Sequence, residues 1–363
     1  MEQFLVIIGD LIQGNKRSQA DWRTIDWLGL YRFAQDQTIL GLLFDELTKL
    51  ENSLKDIIPR EILFQCLGYA EQIREKNISI NKRCSELTSF FSDRGFRSCI
   101  LKGQGNAQMY PNPYTRTPGD IDIWIEGETN DIVHLVTSMF PDVEIASHHI
   151  DFPIFSDVPV EVHFFPSFSV IKRFDKKWMQ YVQEHASEQF SHMIRLPDCD
   201  DGIAVPETDF NIIFQLSHMM RHFFYEGIGL RHIIDFYYLL LQERKRTSED
   251  TLKLLKDLGM LKFAQGLMWI EQEYFGLDEK FLICMPDRKR GKLILREIFE
   301  GGNFGKNDKR KAAQLAKRSK TLSVMLRNLH LLWLFPEEAL AAPIDGVIRK
   351  FIISKRIEIQ LSI

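Results

Sequence analysis

The sequence predicts an α+β protein in which a mixed α+β domain lies between an N-terminal helical segment and a C-terminal helical domain. Two observations support this prediction. Apolar residues recur at three- and four-residue steps before residue 94 and after residue 206, which is typical of helices. Between these regions, short apolar runs bounded by turn residues predict strands. We therefore divide the 363 residues into segments 1–94, 95–200 and 201–363.

In the first part of the chain, periodicity predicts helices over residues 21–94, with a break at 52–59. The pattern then changes to a short strand at residues 98–101 and a turn at 102–105 that leads into a short helix. A second strand is predicted at residues 121–125. The first two strands should therefore lie on either side of a turn and a short helix.

Further along, a helix is predicted over residues 129–140. Two strands over 148–155 and 158–165 are predicted to form a hairpin, with Pro159 near an edge. After residue 206 the strand pattern ends. The predicted C-terminal helices are 210–224, 230–242, 251–258 and 263–275.

Composition places the chain among compact globular proteins. Hydrophobic residues make up 45% of the sequence and include 27 phenylalanines, which argues against disorder. The net charge of -4 offers no general attraction for nucleic acid, so anion recognition must be local. The five scattered cysteines predict neither a disulfide framework nor a zinc knuckle, and they favour a reducing cytoplasm. No apolar run approaches the roughly 20 residues that cross a bilayer, so we expect no membrane partner.

Two aspartates at the start of the second predicted strand are the most informative residues. Alternate residues of a strand point to the same side, so Asp120 and Asp122 present their carboxylates together while Ile121 and Ile123 point away. Burying such like charges is unfavourable unless a cation lies between them. Mg²⁺ takes oxygen ligands and completes its shell with water and substrate phosphates. The pattern therefore predicts a site for Mg²⁺ (or Mn²⁺) together with a nucleotide.

A set of motifs resembles the uncharacterised nucleotidyltransferase family of the DNA polymerase β-like superfamily. These motifs are Leu101-Lys-Gly103, Tyr110-Pro111, Arg116, Gly119-Asp-Ile-Asp122 and Glu161-Val-His163, followed more loosely by Leu216-Ser-His218, His222 and residues 229–235. The resemblance implies a minimal nucleotidyltransferase mixed sheet with flanking helices. It also implies metal-dependent transfer of a nucleoside monophosphate from an NTP, with ATP expected, to an acceptor that the sequence does not identify.

Within the implied site, Asp120, Asp122 and Glu161 are the predicted catalytic and metal-binding residues. Phosphoryl transfer needs positioning and charge neutralisation, and two metals about 4 Å apart stabilise both the attacking and the leaving oxygens. Asp120 and Asp122 would hold both ions. Glu161 would complete the nucleophile-side metal and accept the proton of the acceptor, directly or through water.

Predicted nucleotide contacts surround these carboxylates. Lys102 and the start of the short helix would meet triphosphate oxygens, and Gly103 and Gly105 would allow close approach. Arg116 would hold a phosphate, although a salt bridge with the aspartates is the alternative for both Lys102 and Arg116. The remaining predicted nucleotide contacts are His163, His218, His222 and Arg231.

Several of these residues also have structural explanations. His163 would equally well orient the neighbouring carboxylate or serve as a structural histidine. His218 and His222 are four residues apart, a spacing that can bind zinc, but no third ligand is evident, so packing against the catalytic domain is favoured. Arg231 and Asp235 lie one helical turn apart and predict an intrahelical pair.

Two rival functions remain open. A basic stretch at residues 288–290, 309–311, 317–318 and 320 is the only support for a nucleic-acid partner, because such runs are usually solvated faces. The other rival is a noncatalytic nucleotide- or partner-binding module on the same fold. Three retained carboxylates argue against that module, because their repulsion serves no purpose without a metal.

Overall fold

The computed structural model describes residues 1–14, 22–306, 320–345 and 347, and it confirms an α+β chain in which helices surround a small mixed sheet. The first helices are α1 (Glu2–Ile12), α2 (Trp27–Asp36), α3 (Leu40–Thr48), α4 (Asn52–Lys55), α5 (Arg60–Ser92), α6 (Gln104–Ala107), α7 (Thr129–Met139) and α8 (Lys172–Gln189). They are followed by α9 (Thr208–Tyr225), α10 (Leu230–Leu240), α11 (Ser248–Asp257), α12 (Leu261–Phe275), α13 (Arg288–Gly301), a helix at Lys320–Asn328 and another at 336–345.

The long helix α5 links the N-terminal helices to the sheet. It spans 33 residues, or about 50 Å at 1.5 Å per residue, and begins directly after Pro59 at the end of the predicted break. Ile62 and Cys66 near its start pack with the surrounding helices. Leu87 and Phe91 near its end pack under the sheet. One helix therefore contributes to both hydrophobic cores.

Four strands form the central sheet in the order β1 (Ser98–Ile100), β2 (Ile121–Ile125), β4 (Val160–His163) and β3 (His149–Asp151). β2 is antiparallel to β1 and parallel to β4, while β3 and β4 are antiparallel. Every residue of β2 is buried. In the parallel pair, Asp122 lies opposite Glu161. The two carboxylates predicted to share a metal are thus on adjacent strands.

The third and fourth strands are shorter than the predicted ranges 148–155 and 158–165. The amide of Phe152 still donates to the carbonyl of Val160 at 2.9 Å, but the amide of Ile154 donates to Phe152 in a turn. Pro153 between them fixes φ at about −65°, away from the value of an antiparallel strand, and the chain turns there. The predicted antiparallel pairing is confirmed, and it ends at the turn around Pro153.

Helix α8 and a separate hairpin of β5 (Met193–Arg195) and β6 (Gly202–Ala204) lie outside the predicted elements. The four residues that α8 buries are Trp178, Tyr181, Val182 and Gln189. Its remaining surface is mostly charged, so its apolar stripe is too narrow to give a clear period. Three-residue strands likewise carry too little alternation to be recognised.

The main hydrophobic core contains helices from both ends of the chain. Leu5 and Ile7 of α1 belong to the same buried cluster as Phe275 of α12. A Cβ atom at Gly9 would lie 2.0 Å from the carbonyl oxygen of Tyr274, so the two helices touch backbone to backbone. The second core lies around the sheet and the end of α5.

Only part of the predicted basic stretch lies within the described residues. Residues 309–311 and 317–318 lie outside the described residues, while residues 288–290 form the first turn of α13. There, Arg290 pairs with Asp287. In the described part of the chain, none of the helices combines the length and the apolar character that crossing a membrane requires.

Replacing Glu271 by methionine should stabilise the protein by about 1–3 kcal/mol, because a buried polar group without a partner costs that much. Glu271 is fully buried in α12, and neither carboxyl oxygen has a hydrogen-bond partner among the described residues. Burial raises its pKa well above 4.5, so the folded protein keeps a proton that the unfolded chain releases. The cost therefore grows as pH rises above the unfolded pKa, and the gain in Glu271→Met should be larger near neutral pH than in acid.

Thermal unfolding followed by circular dichroism at several pH values measures this effect. Glu75→Met, at an exposed position of α5, is the matched control and should change little. A lower unfolding midpoint for Glu271→Met than for the wild type at neutral pH would contradict the expectation.

Candidate active site

A buried carboxylate, Asp122 of β2, lies at the centre of the candidate site and is only 3% exposed. The Nζ atom of Lys102 lies 2.9 Å from its Oδ2 atom, and Nε2 of His163 lies 3.0 Å from its Oδ1 atom. Each carboxylate oxygen therefore has a close nitrogen partner, as a buried charge requires.

The order of the strands brings these side chains together. Lys102 lies two residues after the end of β1, and the amide of Leu101 donates to the carbonyl of Asp122 at 3.0 Å, so the chain leaves the sheet beside β2. Parallel pairing places Glu161 opposite Asp122. His163 follows Glu161 by two residues and shares its side of β4, with Nε2 3.4 Å from Oε2 of Glu161.

These groups set one another's charge. Burial acts to raise the pKa of Asp122, but Lys102 and His163 hold that pKa well below its ordinary value. Burial acts to lower the pKa of Lys102, and the nearby carboxylates outweigh burial, so the pKa is raised. Burial acts to lower the pKa of His163, but its hydrogen bonds to Asp122 and Glu161 outweigh burial, so the pKa is raised. Burial acts to raise the pKa of Glu161, but the hydrogen bond from His163 outweighs burial, so the pKa is lowered. Asp122 and Glu161 are therefore ionised at neutral pH.

Asp120 lies one residue before β2, in the loop that leads into the strand. The charge of Asp122 raises the pKa of Asp120, while Lys102 acts in the opposite direction. Gly103 has a φ of +55°, which other residues rarely adopt, and a Cβ there would lie 3.7 Å from the carbonyl oxygen of Asp120. Lys102, Gly103, Asp120 and Asp122 line one cavity of about 30 Å³.

The donor atoms of this cluster suit a divalent cation. Asp122, Glu161 and His163 each offer one ligand atom, and these atoms lie within 4.8 Å of one another. Carboxylate oxygens suit Mg²⁺ and Mn²⁺, and an imidazole nitrogen is accepted by transition metals. Among the described residues, Asp120 belongs to no such group of three, although its charge acts on the cluster. The residues present therefore fit a cation between β2 and β4.

The opposite wall of the cavity comes from α9, α10 and a turn near residue 304. Its lining residues are Gln215, His218, Arg231, His232, Asp235 and Phe304. Burial lowers the pKa of His218 well below its ordinary value, so its ring is neutral at pH 7. His222 packs on His218 at 4.4 Å between ring centroids and accepts a hydrogen bond from Arg221 at 2.8 Å. The structure thus brings His218 to the cavity and places His222 behind it.

Arg116 lines the cavity but is held by Asp235. Its Nε and Nη2 atoms each donate to the Asp235 carboxylate at 2.8 Å, and the hydroxyl of Tyr110 donates to the same carboxylate at 2.6 Å. The predicted pairing of Arg231 with Asp235 is therefore wrong. Nη1 of Arg231 instead donates to the carbonyl of Thr117 at 2.8 Å, which ties α10 to the loop before β2.

Gly105 lies away from the carboxylates. A Cβ at this position would come 3.1 Å from Cγ1 of Val205, so the absent side chain allows α6 to pack closely against the residue that follows β6. Gly105 lines a separate cavity of about 250 Å³ that also contains Asn106 and Asn211. The structure therefore gives Gly105 a packing role.

Two residues of the site escaped the sequence-based prediction. His148 and His149 precede and begin β3, and together with His163 they offer three ligand atoms within 4.8 Å of one another. Burial lowers the pKa of His149 to about 4, so its ring is neutral at pH 7. The available signal was a pair of histidines in a strand predicted to lie beside the Glu161-Val-His163 strand.

Comparison with known proteins gives two matches. The sequence model of the family described as "Uncharacterised nucleotidyltransferase" matches residues 23–276, which include every predicted site residue. A solved structure, the crystal structure of an antigenic nucleotidyltransferase-like protein from Paracoccidioides brasiliensis, is 13% identical, and the alignment covers 58% of this chain and 94% of that chain. Its TM-score of 0.38 is too low to carry an argument. A search of curated proteins gave no significant match.

Removing one partner of the buried Arg116–Asp235 pair should cost roughly 3–5 kcal/mol of unfolding free energy, because the other charge is left buried and unpaired. Arg116→Met tests this by chemical denaturation. The double variant Arg116→Met/Asp235→Leu should recover much of the loss, since it removes both charges. Arg60→Met, at an exposed position of α5, is the control. If Arg116→Met proved as stable as the wild type, the expected loss of unfolding free energy on breaking this pair would be contradicted.

Proposed function

Because the chain belongs to the uncharacterised nucleotidyltransferase family, we propose that it transfers a nucleoside monophosphate from an NTP, foremost ATP, to an acceptor with the help of Mg²⁺ (or Mn²⁺). One observation carries the proposal. Asp122 and Glu161 lie opposite each other on parallel strands, and Lys102 lies 2.9 Å from Asp122. Two carboxylates and an ammonium group thus lie together at one edge of the sheet.

In this proposal, Asp120, Asp122 and Glu161 hold the divalent cations. When bound, such cations neutralise phosphoryl oxygens and stabilise the attacking and leaving oxygens. The raised pKa of Asp120 supports this assignment, because it reports a repulsion from Asp122 that a cation would relieve. His163 holds Asp122 and Glu161 in place through contacts to both carboxylates.

Lys102 and Arg231 are the proposed phosphate contacts. With a cation on Asp122, the ammonium of Lys102 would be free to turn to triphosphate oxygens, and the turn at Gly103 fixes where it starts. Arg231 lies in the opposite wall, and its buried Nε atom has no hydrogen-bond partner in the part of the chain that the structure describes. An unpaired buried donor is costly, so a phosphate oxygen at this position would satisfy it. His218 would contribute a neutral ring beside the nucleotide.

Glu161 is the proposed base for the acceptor. Its side chain is 31% exposed, whereas that of Asp122 is only 2% exposed, so an incoming hydroxyl or amine can reach Glu161. Its lowered pKa keeps it ionised at neutral pH. It would take the acceptor proton directly or through water as the new bond to phosphorus forms.

Nucleotide binding requires the cavity to widen. A volume of about 30 Å³ accommodates an ion with a water molecule, whereas small-molecule pockets usually occupy roughly 300 Å³ or more. The wall formed by α9 and α10 would therefore separate from the edge of β2 when an NTP enters. Such separation places the nucleotide between the sheet and the C-terminal helices.

The acceptor and the cellular location are proposed on two separate observations. Nucleic acid as acceptor rests on the basic stretch alone, and its binding would weaken steeply with salt. A cytoplasmic location is supported by the five cysteines, all of them free thiols, four of which are buried.

A noncatalytic nucleotide-binding module is the second candidate. The observation that favours it is the Lys102–Asp122 contact, because an internal ammonium already compensates part of the acidic charge. Retention of Asp120 and Glu161 beside this pair argues for the enzyme, since one lysine leaves further negative charge to balance.

Asp120→Asn and Asp122→Asn should each abolish metal-dependent nucleotide transfer, because each removes a negative ligand from the proposed cations. Transfer is measured with labelled NTP and Mg²⁺ or Mn²⁺, and folding is checked by circular dichroism. Asp131→Asn, at an exposed position of α7, should transfer like the wild type. Full activity in the Asp120→Asn/Asp122→Asn double variant would sink the proposal.

Labelling of a lysate separates the enzyme from the module. The wild-type protein is incubated with labelled ATP, GTP, CTP or UTP, Mg²⁺ or Mn²⁺ and cell lysate. We expect at least one lysate component to become labelled, most strongly with ATP. Calorimetric binding of a nucleotide without any labelled species would favour the noncatalytic module.

A further inference from the structure

A continuous line of ligand atoms extends from the candidate site to the outer strand β3. Nε2 of His148 lies 3.3 Å from Nδ1 of His149, which lies 3.5 Å from Oε2 of Glu161. The same Glu161 oxygen lies 3.4 Å from Nε2 of His163. Three imidazole nitrogens and one carboxylate oxygen thus lie in a line along the β3–β4 edge. We propose that His148, His149, Glu161 and His163 form a binding site for Zn²⁺.

The spacing of the donors favours zinc over magnesium. Four ligands at 2.0–2.1 Å from a tetrahedral zinc ion are separated from one another by about 3.3–3.4 Å. The three separations along this line are 3.3, 3.5 and 3.4 Å, and the donor atoms of His148, His149 and His163 lie within 4.8 Å of one another, so the four ligands would draw together around the ion. An octahedral Mg²⁺ site needs neighbouring ligands about 2.9 Å apart, and Mg²⁺ prefers oxygen to nitrogen.

The nitrogen atoms on the other side of two of these rings face groups that can orient them. Nε2 of His149 lies 4.0 Å from Oδ1 of Asp151, and Nδ1 of His148 lies 3.5 Å from Oγ of Ser147. Zinc-binding histidines commonly direct their second nitrogen to a carboxylate or another acceptor, which fixes the tautomer and the ring direction. The local sequence Ser147-His-His-Ile-Asp151 supplies both partners.

The strands explain why these side chains converge. His149 pairs across the antiparallel ladder with His163, and Asp151 pairs with Glu161. Residues directly opposite each other in such a ladder have Cβ atoms about 4.5–5.5 Å apart. The register therefore places His149 of β3 and the donors of β4 on a common face. The opposite wall of the cavity, formed by α9 and α10, supplies none of the four proposed ligands.

This site goes beyond the proposed transfer reaction, because it requires neither nucleotide nor acceptor. It shares Glu161 and His163 with the cation position between β2 and β4, so a zinc ion here would compete for those ligands. Asp120 belongs to neither group of three ligands among the described residues, which allows the two sites to be tested separately.

Zinc titration of the metal-free, full-length protein by isothermal calorimetry tests the site. We expect one Zn²⁺ ion per chain for the wild type. His149→Gln should weaken binding by roughly 100-fold or more, because loss of a ligand exceeds the effect of losing a partner behind it. His134→Gln, at an exposed position of α7, is the matched control and should bind zinc like the wild type.

A milder variant covers the case in which His149→Gln does not fold. Asp151 is exposed, and Asp151→Asn should keep the fold while weakening zinc binding by roughly 10- to 100-fold. Co²⁺ added to the wild type should give the visible absorption typical of tetrahedral coordination, which Zn²⁺ then removes. Absence of zinc binding to the wild type, or equal zinc affinity in the wild type and Asp151→Asn, would overturn the site. Neither result bears on Mg²⁺-dependent transfer, which Asp120→Asn tests independently.

Discussion

A buried negative charge that must be compensated controls the architecture of the site. Asp122 lies inside the sheet, where an ionised carboxylate is stable only with close cationic or hydrogen-bonding partners. Those partners come from the end of β1 and from β4, so the strand order and the parallel pairing of β2 with β4 are conditions for keeping the charge. Three carboxylates face one ammonium and one imidazole, which leaves negative charge for a divalent cation to balance.

A second buried carboxylate, Asp235 in the cavity wall formed by α9 and α10, is compensated by a separate set of partners. Asp235 receives hydrogen bonds from Arg116 and Tyr110, both of which lie between β1 and β2 in the chain. Because Arg116 donates two hydrogen bonds to Asp235, its charge acts on Asp120 only as a weaker, secondary interaction. The Arg116–Asp235 pair also fixes α10 against the loop that leads into β2. One buried pair therefore joins the two walls of the cavity.

Local patterns predicted the parts of the site that depend on neighbouring residues. Strand alternation and motif order located Asp122, Glu161 and Lys102, and the structure places these three side chains at one edge of the sheet. The partner of Asp235 could not be found in this way, because Arg116 is 119 residues away while Arg231 has the helical spacing of an ordinary pair. Helix α8 was missed for the same reason, because only four of its side chains are buried and their burial depends on tertiary contacts. Placement of the domain boundaries at residues 94 and 200 stays a prediction.

The backbone contact between α1 and α12 has a consequence for synthesis on the ribosome. Helix α1 is made before α12, and Tyr274, whose carbonyl lies beside Gly9, is translated more than 250 residues later, as the positions 9 and 274 show. At about 5–20 residues per second, the apolar face of α1 waits for more than about ten seconds without its final neighbour. During that interval its leucine and isoleucine side chains must be shielded by provisional contacts or by a chaperone, so newly made chains should be more prone to aggregation than refolded, full-length ones.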